Sequence, residues 1–214
     1  YVLPPLVGGT ALLATGRRAG WARWAGAAGV AAGVAAALFF RDPERPAPVH
    51  TDVVYAGADG FVTRVEERSD EPWLPGRATN ISTFLSLHNV HVNRSPVTGR
   101  IVHEESVPGG FAPALFARSE SNRRRRVAID GARGRVVVVQ VAGLLARRIS
   151  PWVGAGEDVV AGQRLGIIHF GSRTDVLLPA GSAQVLVRPG DRVLAGVTPL
   201  ARYTETAEGR CASS

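Results

Sequence analysis

The 214 residues can build one sizeable core plus an appendage, and 45% hydrophobic content at a mean hydropathy of +0.06 fits a globular domain with a membrane-seeking segment. Every one of the 25 basic residues behind the net charge of +7 is arginine. Lacking lysine, the chain can neither form the internal Schiff base of a pyridoxal phosphate enzyme nor carry a lipoyl or biotinyl group. The single cysteine, Cys211, excludes an intrachain disulfide and weakly favours a reducing compartment.

Residues 1–40 stand apart. Val2 to Gly16 is uncharged, Ala25 to Phe40 is uncharged and almost wholly apolar, and Arg17, Arg18, Trp21, Arg23 and Trp24 lie between them. Each run is shorter than the roughly 20 residues of an upright spanning helix, whereas Trp and Arg beside apolar runs suit a membrane interface. The expectation is a hydrophobic helical hairpin that anchors the chain, with a buried core hairpin as the alternative. Gly29 and Gly33 would let two helices approach closely. A cleaved signal peptide fits poorly, because two apolar runs flank the arginines and no clear cleavage site follows. No methionine occurs, so the sequence is expected to begin inside, or after processing of, the native N-terminus.

Three prolines between Arg41 and Pro48 stop any helix and mark the boundary to a second domain, 41–214. Short β runs follow at Val53–Tyr55, Phe61–Val65, Ile81–Leu87, Val90–Val92, Val127–Ile129, Arg135–Val141, Leu165–Phe170, Thr174–Leu178 and Ala183–Val187. Gly57 to Gly60 reads as a hairpin turn between the first two runs. Arg123 to Arg126 reads most simply as a solvated loop, with a lipid-phosphate role as the alternative. Val153–Gly166 and Val187–Leu200 resemble one another, each carrying Gly, an acid, Val and then Ala-Gly. Such turns look like those of barrel-sandwich (lipoyl and hybrid-motif) domains, so the expected fold is mainly β. With no lysine to modify, an enzyme on that scaffold is more plausible than a swinging-arm carrier.

Three places could carry chemistry: Asp59 in its turn, the His88-Asn-Val-His91 pair, and Gly171-Ser172. Singly, each has a bland reading. Asp-Gly is a common turn dipeptide, Gly-Ser suits a hairpin corner, and two histidines three apart in strand-like sequence point to opposite faces unless a bulge intervenes. A zinc site is not expected, since the remaining histidines lack ligand spacing and the cysteine is terminal.

Taken together, the segments say more. Phe39-Phe-Arg-Asp-Pro-Glu-Arg45, Ala58-Asp59-Gly60, His88-Asn-Val-His-Val-Asn-Arg-Ser-Pro96, Val141 to Ile149 and Leu165-Gly-Ile-Ile-His-Phe-Gly-Ser-Arg-Thr-Asp-Val-Leu-Leu-Pro179 run in one order. This series resembles the short prokaryotic and archaeal type of phosphatidylserine decarboxylase proenzyme, in which an N-terminal hydrophobic hairpin is also expected. Departures are Ser121 to Arg126, where the family usually has a mixed acidic and basic stretch, and the tail past Arg202, which has no recognised counterpart.

The resemblance implies self-cleavage between Gly171 and Ser172, with the Ser172 hydroxyl attacking the Gly171 carbonyl and the serine residue ending as a pyruvoyl group. By similarity His91 is the base for cleavage, Asp59 orients it, and His88 supplies a proton during decarboxylation. The pyruvoyl ketone would take the place of the missing lysine chemistry by condensing with the substrate amine as a Schiff base; neither pyridoxal phosphate nor a metal is expected. Arg147 and Arg148 are candidates for the lipid phosphate.

The implied partners are a phospholipid with a serine headgroup, phosphatidylserine or archaetidylserine, and the membrane. The two cleavage products are expected to remain associated, a homodimer is compatible with the family, and nucleic acid is not an expected partner. The implied location is the cell membrane, peripheral or monotopic, with the catalytic domain on the cytoplasmic side. The competing readings are a serine hydrolase using the same Asp-His-Ser set and a non-catalytic membrane-tethered binding domain.

Overall fold

The computed structural model describes residues 4, 5, 7, 10, 20–48, 50–69, 71–110, 121–143, 148–169 and 172–204. The chain divides into two compact units, Tyr1–Pro43 and Glu44–Ser214.

In the first unit, helix α1 spans Gly20–Phe39. Its 20 residues rise about 30 Å, the thickness of a bilayer's hydrocarbon core. It is long and apolar enough to cross a membrane, with an average hydropathy of 1.4 and 22% of its apolar stretch buried. The apolar run alone looked too short for this. The difference is that the helix begins at Gly20 and takes in Trp21, Arg23 and Trp24. The two tryptophans are 73% and 80% exposed. Most of the first apolar run lies outside the described residues.

The second unit is mainly β, with strands β1 (Val53–Tyr55), β2 (Gly60–Arg68), β3 (Ala78–Leu85), β4 (Val92–Arg94), β5 (Gly99–Val107), β6 (Arg124–Gly131) and β7 (Gly134–Val141). These are followed by β8 (Ile149–Pro151), β9 (Asp158–Val159), β10 (Arg164–Ile168), β11 (Ser172–Pro179), β12 (Ala183–Val185), β13 (Arg192–Val193) and β14 (Pro199–Tyr203). An eight-stranded sheet in the order β13-β2-β3-β11-β7-β6-β5-β9 curls into a half-barrel, and two three-stranded sheets run β1-β14-β12 and β4-β10-β8. Alternation along the strands sends Ile81, Val127, Ile129, Val136, Val138, Val176 and Leu178 into the main core, with Leu165 and Leu200 from the smaller sheets. The opposite face of the large sheet holds a smaller cluster around Ala128, Val137, Val139 and Leu177, joined by Leu74.

The two similar segments fold alike. Gly154 N–H donates to Glu157 (2.8 Å) and Arg188 N–H to Asp191 (2.9 Å), so in each the acid caps its own turn. Each then forms a two-residue strand, β9 on β5 and β13 on β2, closing opposite ends of the large sheet.

Two local expectations are corrected. Gly57–Gly60 is not a hairpin turn, because β1 pairs with β14 and β2 pairs with β3 and β13; the turn is a corner between sheets. Arg124–Arg126 is not a solvated loop but the start of β6. Arg125, 2% exposed, donates to Glu104 (2.6 Å), Gln140 (3.0 Å) and the Val153 carbonyl (2.5 Å). Arg126 pairs with Glu71 and lies over the Trp73 ring. Strand patterning hid this, since a buried arginine reads as polar until its partners are known.

Candidate active site

Three strand ends bring the chemistry-bearing residues together. Ser172, the first residue of β11, pairs with Leu85, the last of β3. Phe84 pairs with Arg173 on one side and Phe61 on the other, which puts the start of β2, and Asp59 just before it, at this same end of β3. Beyond Leu85 the chain turns through Ser86 to Asn89, closed by Asn89 N–H to the Ser86 carbonyl and Ser86 N–H to the Asn89 side chain, both 2.9 Å. His88 is exposed in that turn, and His91 just after it is fully buried. The pair therefore does not lie in a strand, as its sequence suggested; the turn separates the two rings into different environments. The His91 carbonyl accepts the Ile168 N–H (3.2 Å), joining the turn to the end of β10, four residues before Ser172.

Gly60 makes this corner possible. Its φ of 155° lies in the region that favours glycine, and a Cβ there would run into the Phe84 carbonyl. The Asp59-Gly60 dipeptide thus serves close approach of β2 to β3 rather than a tight turn.

Ser172 is wholly buried, and its Oγ makes no hydrogen bond among the described residues. An orphaned hydroxyl costs roughly 1–3 kcal/mol and calls for a reason. On the same sheet face, Gln140 donates to Asn93 Oδ1 (2.6 Å) and accepts from Arg125, so a chain of polar side chains ties β4 to the large sheet beneath the serine. His91 Nδ1 lies 2.9 Å from the Asn89 carbonyl. A carbonyl only accepts, which assigns the proton to Nδ1 and leaves Nε2 as the basic nitrogen of the neutral ring.

Asp59, 4% exposed, is bound elsewhere. Arg45 donates Nη1 to Oδ1 (2.6 Å) and Nη2 to Oδ2 (2.7 Å), and the Ala195 N–H donates to Oδ1 (2.8 Å). The carboxylate and His91 do not share a hydrogen bond. Asp59 stands out in the sequence without its arginine, although Arg45 closes the Phe39–Arg45 motif. Arg148 is exposed, and its carbonyl accepts the His169 N–H (3.1 Å). Burial, then the Arg148 charge, holds the His169 ring below the ordinary histidine range, and its Nε2 lies 3.3 Å from Ser150 Oγ. Arg147 and Gly171 lie outside the described residues.

The fold is mainly β, with Ser172 and His91 both buried close to the ends of its strands. The family model for phosphatidylserine decarboxylase matches residues 34–201. A phosphatidylserine decarboxylase proenzyme of Symbiobacterium thermophilum is 48% identical over 94% of this chain and 94% of its own length. Those of Streptomyces griseus and Xanthobacter autotrophicus are 41% and 46% identical, over 94% and 82% of this chain and 90% and 76% of their own. The chain belongs to the phosphatidylserine decarboxylase family, and it is a decarboxylase proenzyme.

Proposed function

We propose that this protein decarboxylates phosphatidylserine at a membrane after cleaving itself between Gly171 and Ser172. The substrate follows from the names of its relatives, and archaetidylserine, with the same headgroup, is the second substrate to test. The observation that carries the cleavage is the orphaned, fully buried Ser172 Oγ. Sitting on the first rung of β11, it is bonded to β3, while the ladder to β7 starts only at Arg173. Cleavage before Ser172 would therefore leave every rung of β11 in place.

His91 takes the Ser172 proton through Nε2, a role suited to the tautomer that the Asn89 carbonyl favours. Ser172 Oγ adds to the Gly171 carbonyl and displaces the Ser172 nitrogen, so an ester replaces the peptide bond. Loss of the Ser172 α-proton then expels the Gly171 carboxylate. The resulting dehydroalanine tautomerises, takes up water and releases ammonia, leaving a pyruvoyl group at position 172. That group supplies the electron sink that amino-acid decarboxylation requires. Asp59 supports His91 in processing, and His88, exposed at the rim, delivers the proton that replaces carbon dioxide. Arg148, with Arg147, is the candidate for the lipid phosphate. Helix α1 supports attachment to the membrane, and the catalytic domain is assigned to the cytoplasmic side by the family resemblance.

Intact mass of the purified protein tests this reading. Two chains are expected, one ending at Gly171 and one starting at 172 with a blocked N-terminus. A cleaved chain with a free Ser172 amine would rule out the pyruvoyl group, and an uncut active protein would rule out self-processing.

A further inference from the structure

The Asp59 carboxylate has about four acceptor positions. Arg45 fills two of them and the Ala195 N–H a third, leaving one on Oδ2. Arg45 Nη1 also donates to the Ala195 carbonyl at 2.6 Å, so Arg45, Asp59 and Ala195 form one closed clasp. Its two charged side chains are 9% and 6% exposed, unlike an exposed pair that solvent and salt would weaken. The three parts come from distant stretches. Arg45 stands six residues beyond the end of α1, Asp59 leads into β2, and Ala195 lies in the turn between β13 and β14.

We propose that Arg45 is a positioning residue for self-cleavage: its two-pronged contact holds the Asp59 carboxylate fixed at the Ser172 end of β3. The inference rests on the role given above to Asp59. Deprived of Arg45, the buried carboxylate would keep a single backbone N–H, that of Ala195, and lose the contacts that fix its orientation. A carboxylate that swings freely cannot steadily stabilise a histidinium. Arg45 touches no reacting atom; it acts through Asp59.

The test follows cleavage of the full chain made by cell-free synthesis with phosphatidylglycerol vesicles, timing the appearance of the fragment that begins at 172. Arg45→Ala should cleave about tenfold or more slowly. Arg45→Lys, which keeps the cation and can make one of the two contacts, should recover part of that loss. Combining Arg45→Ala with Asp59→Asn should be no slower than Asp59→Asn alone, because both changes disable one unit. Normal or faster cleavage of Arg45→Ala would overturn the proposal, faster cleavage showing that Arg45 restrains Asp59 instead. Lysine failing to rescue, or losses that simply multiply, would reduce Arg45 to a structural role and also overturn it. Native-rate cleavage by Asp59→Asn is a separate outcome: it would remove the role given to Asp59, and the proposal with it.

Discussion

Ser172 faces Leu85 across the first rung of β11, and the Leu85 strand leads within a few residues into the turn that carries His88 and then His91. One hydrogen-bonded register thus brings residues more than eighty positions apart to a single strand margin. The burial of His91 and exposure of His88 suit the proposed division between an enclosed step on the protein's own backbone and an open step on an external lipid.

The two histidines should therefore fail differently. His91→Ala should leave the chain uncut, because the serine loses its base. His88→Ala should still cut but decarboxylate at least about a hundredfold more slowly, within the range that general acid–base catalysis contributes. Gel analysis of processing alongside carbon dioxide release measures both. Normal processing and turnover in both variants would reject these roles.

The two products should stay together after cleavage. The piece from 172 onward supplies β11, with eight rungs to β3 and five to β7, and β14, which lies between β1 and β12. Val176, Leu178, Val193 and Leu200 from it are buried in the main core, and each contributes roughly 1.5–3 kcal/mol on burial. Both chains should co-elute on size exclusion in buffer and separate only in denaturant. Separation in buffer would contradict the sheet order.

Much of this architecture was legible in the sequence because short apolar runs such as the β-branched Val136–Val139 and the mixed Thr174–Leu178 announce buried strands directly. β5 was not, since Arg100, His103, Glu104 and Glu105 break its alternation and the strand shows few buried positions. The site was legible only as motifs. Nothing in the local pattern says that Asp59 binds Arg45 and Ala195, because that contact depends on the β13–β14 turn arriving from the far end of the chain. The same holds for Arg125, whose acceptors Glu104, Gln140 and Val153 come from three separate stretches.

Acid should destabilise the catalytic domain in part through His169. Burial and the Arg148 charge lower its affinity for protons in the folded state relative to the unfolded chain. A depressed histidine contributes stability that is fully present above its unfolded value, near 6.5, and is lost as pH falls through the lower folded value. The melting temperature should drop between about pH 7 and 5, and His169→Gln should flatten that slope. An unchanged slope in the variant would show that other groups carry the acid sensitivity.

Membrane attachment should survive salt. Trp21, Trp24, Val34 and Leu38 on α1 are all substantially exposed, and burying each in lipid would contribute roughly 1.5–3 kcal/mol. Arg23, the only charged residue within α1, adds about 1 kcal/mol at an anionic surface. Salt screens the second contribution and leaves the first intact. A high-salt wash should therefore leave the full-length protein on membranes, and detergent should release it. Deleting residues 1–40 spares Arg45, Asp59, His91 and Ser172, all of which lie in the compact unit beginning at Glu44. That shortened protein should still cleave itself and decarboxylate detergent-dispersed lipid, but act weakly on intact vesicles. Release of the full-length protein by salt alone would show that α1 is not the anchor, and undiminished vesicle activity of the shortened form would place lipid capture in the β domain instead.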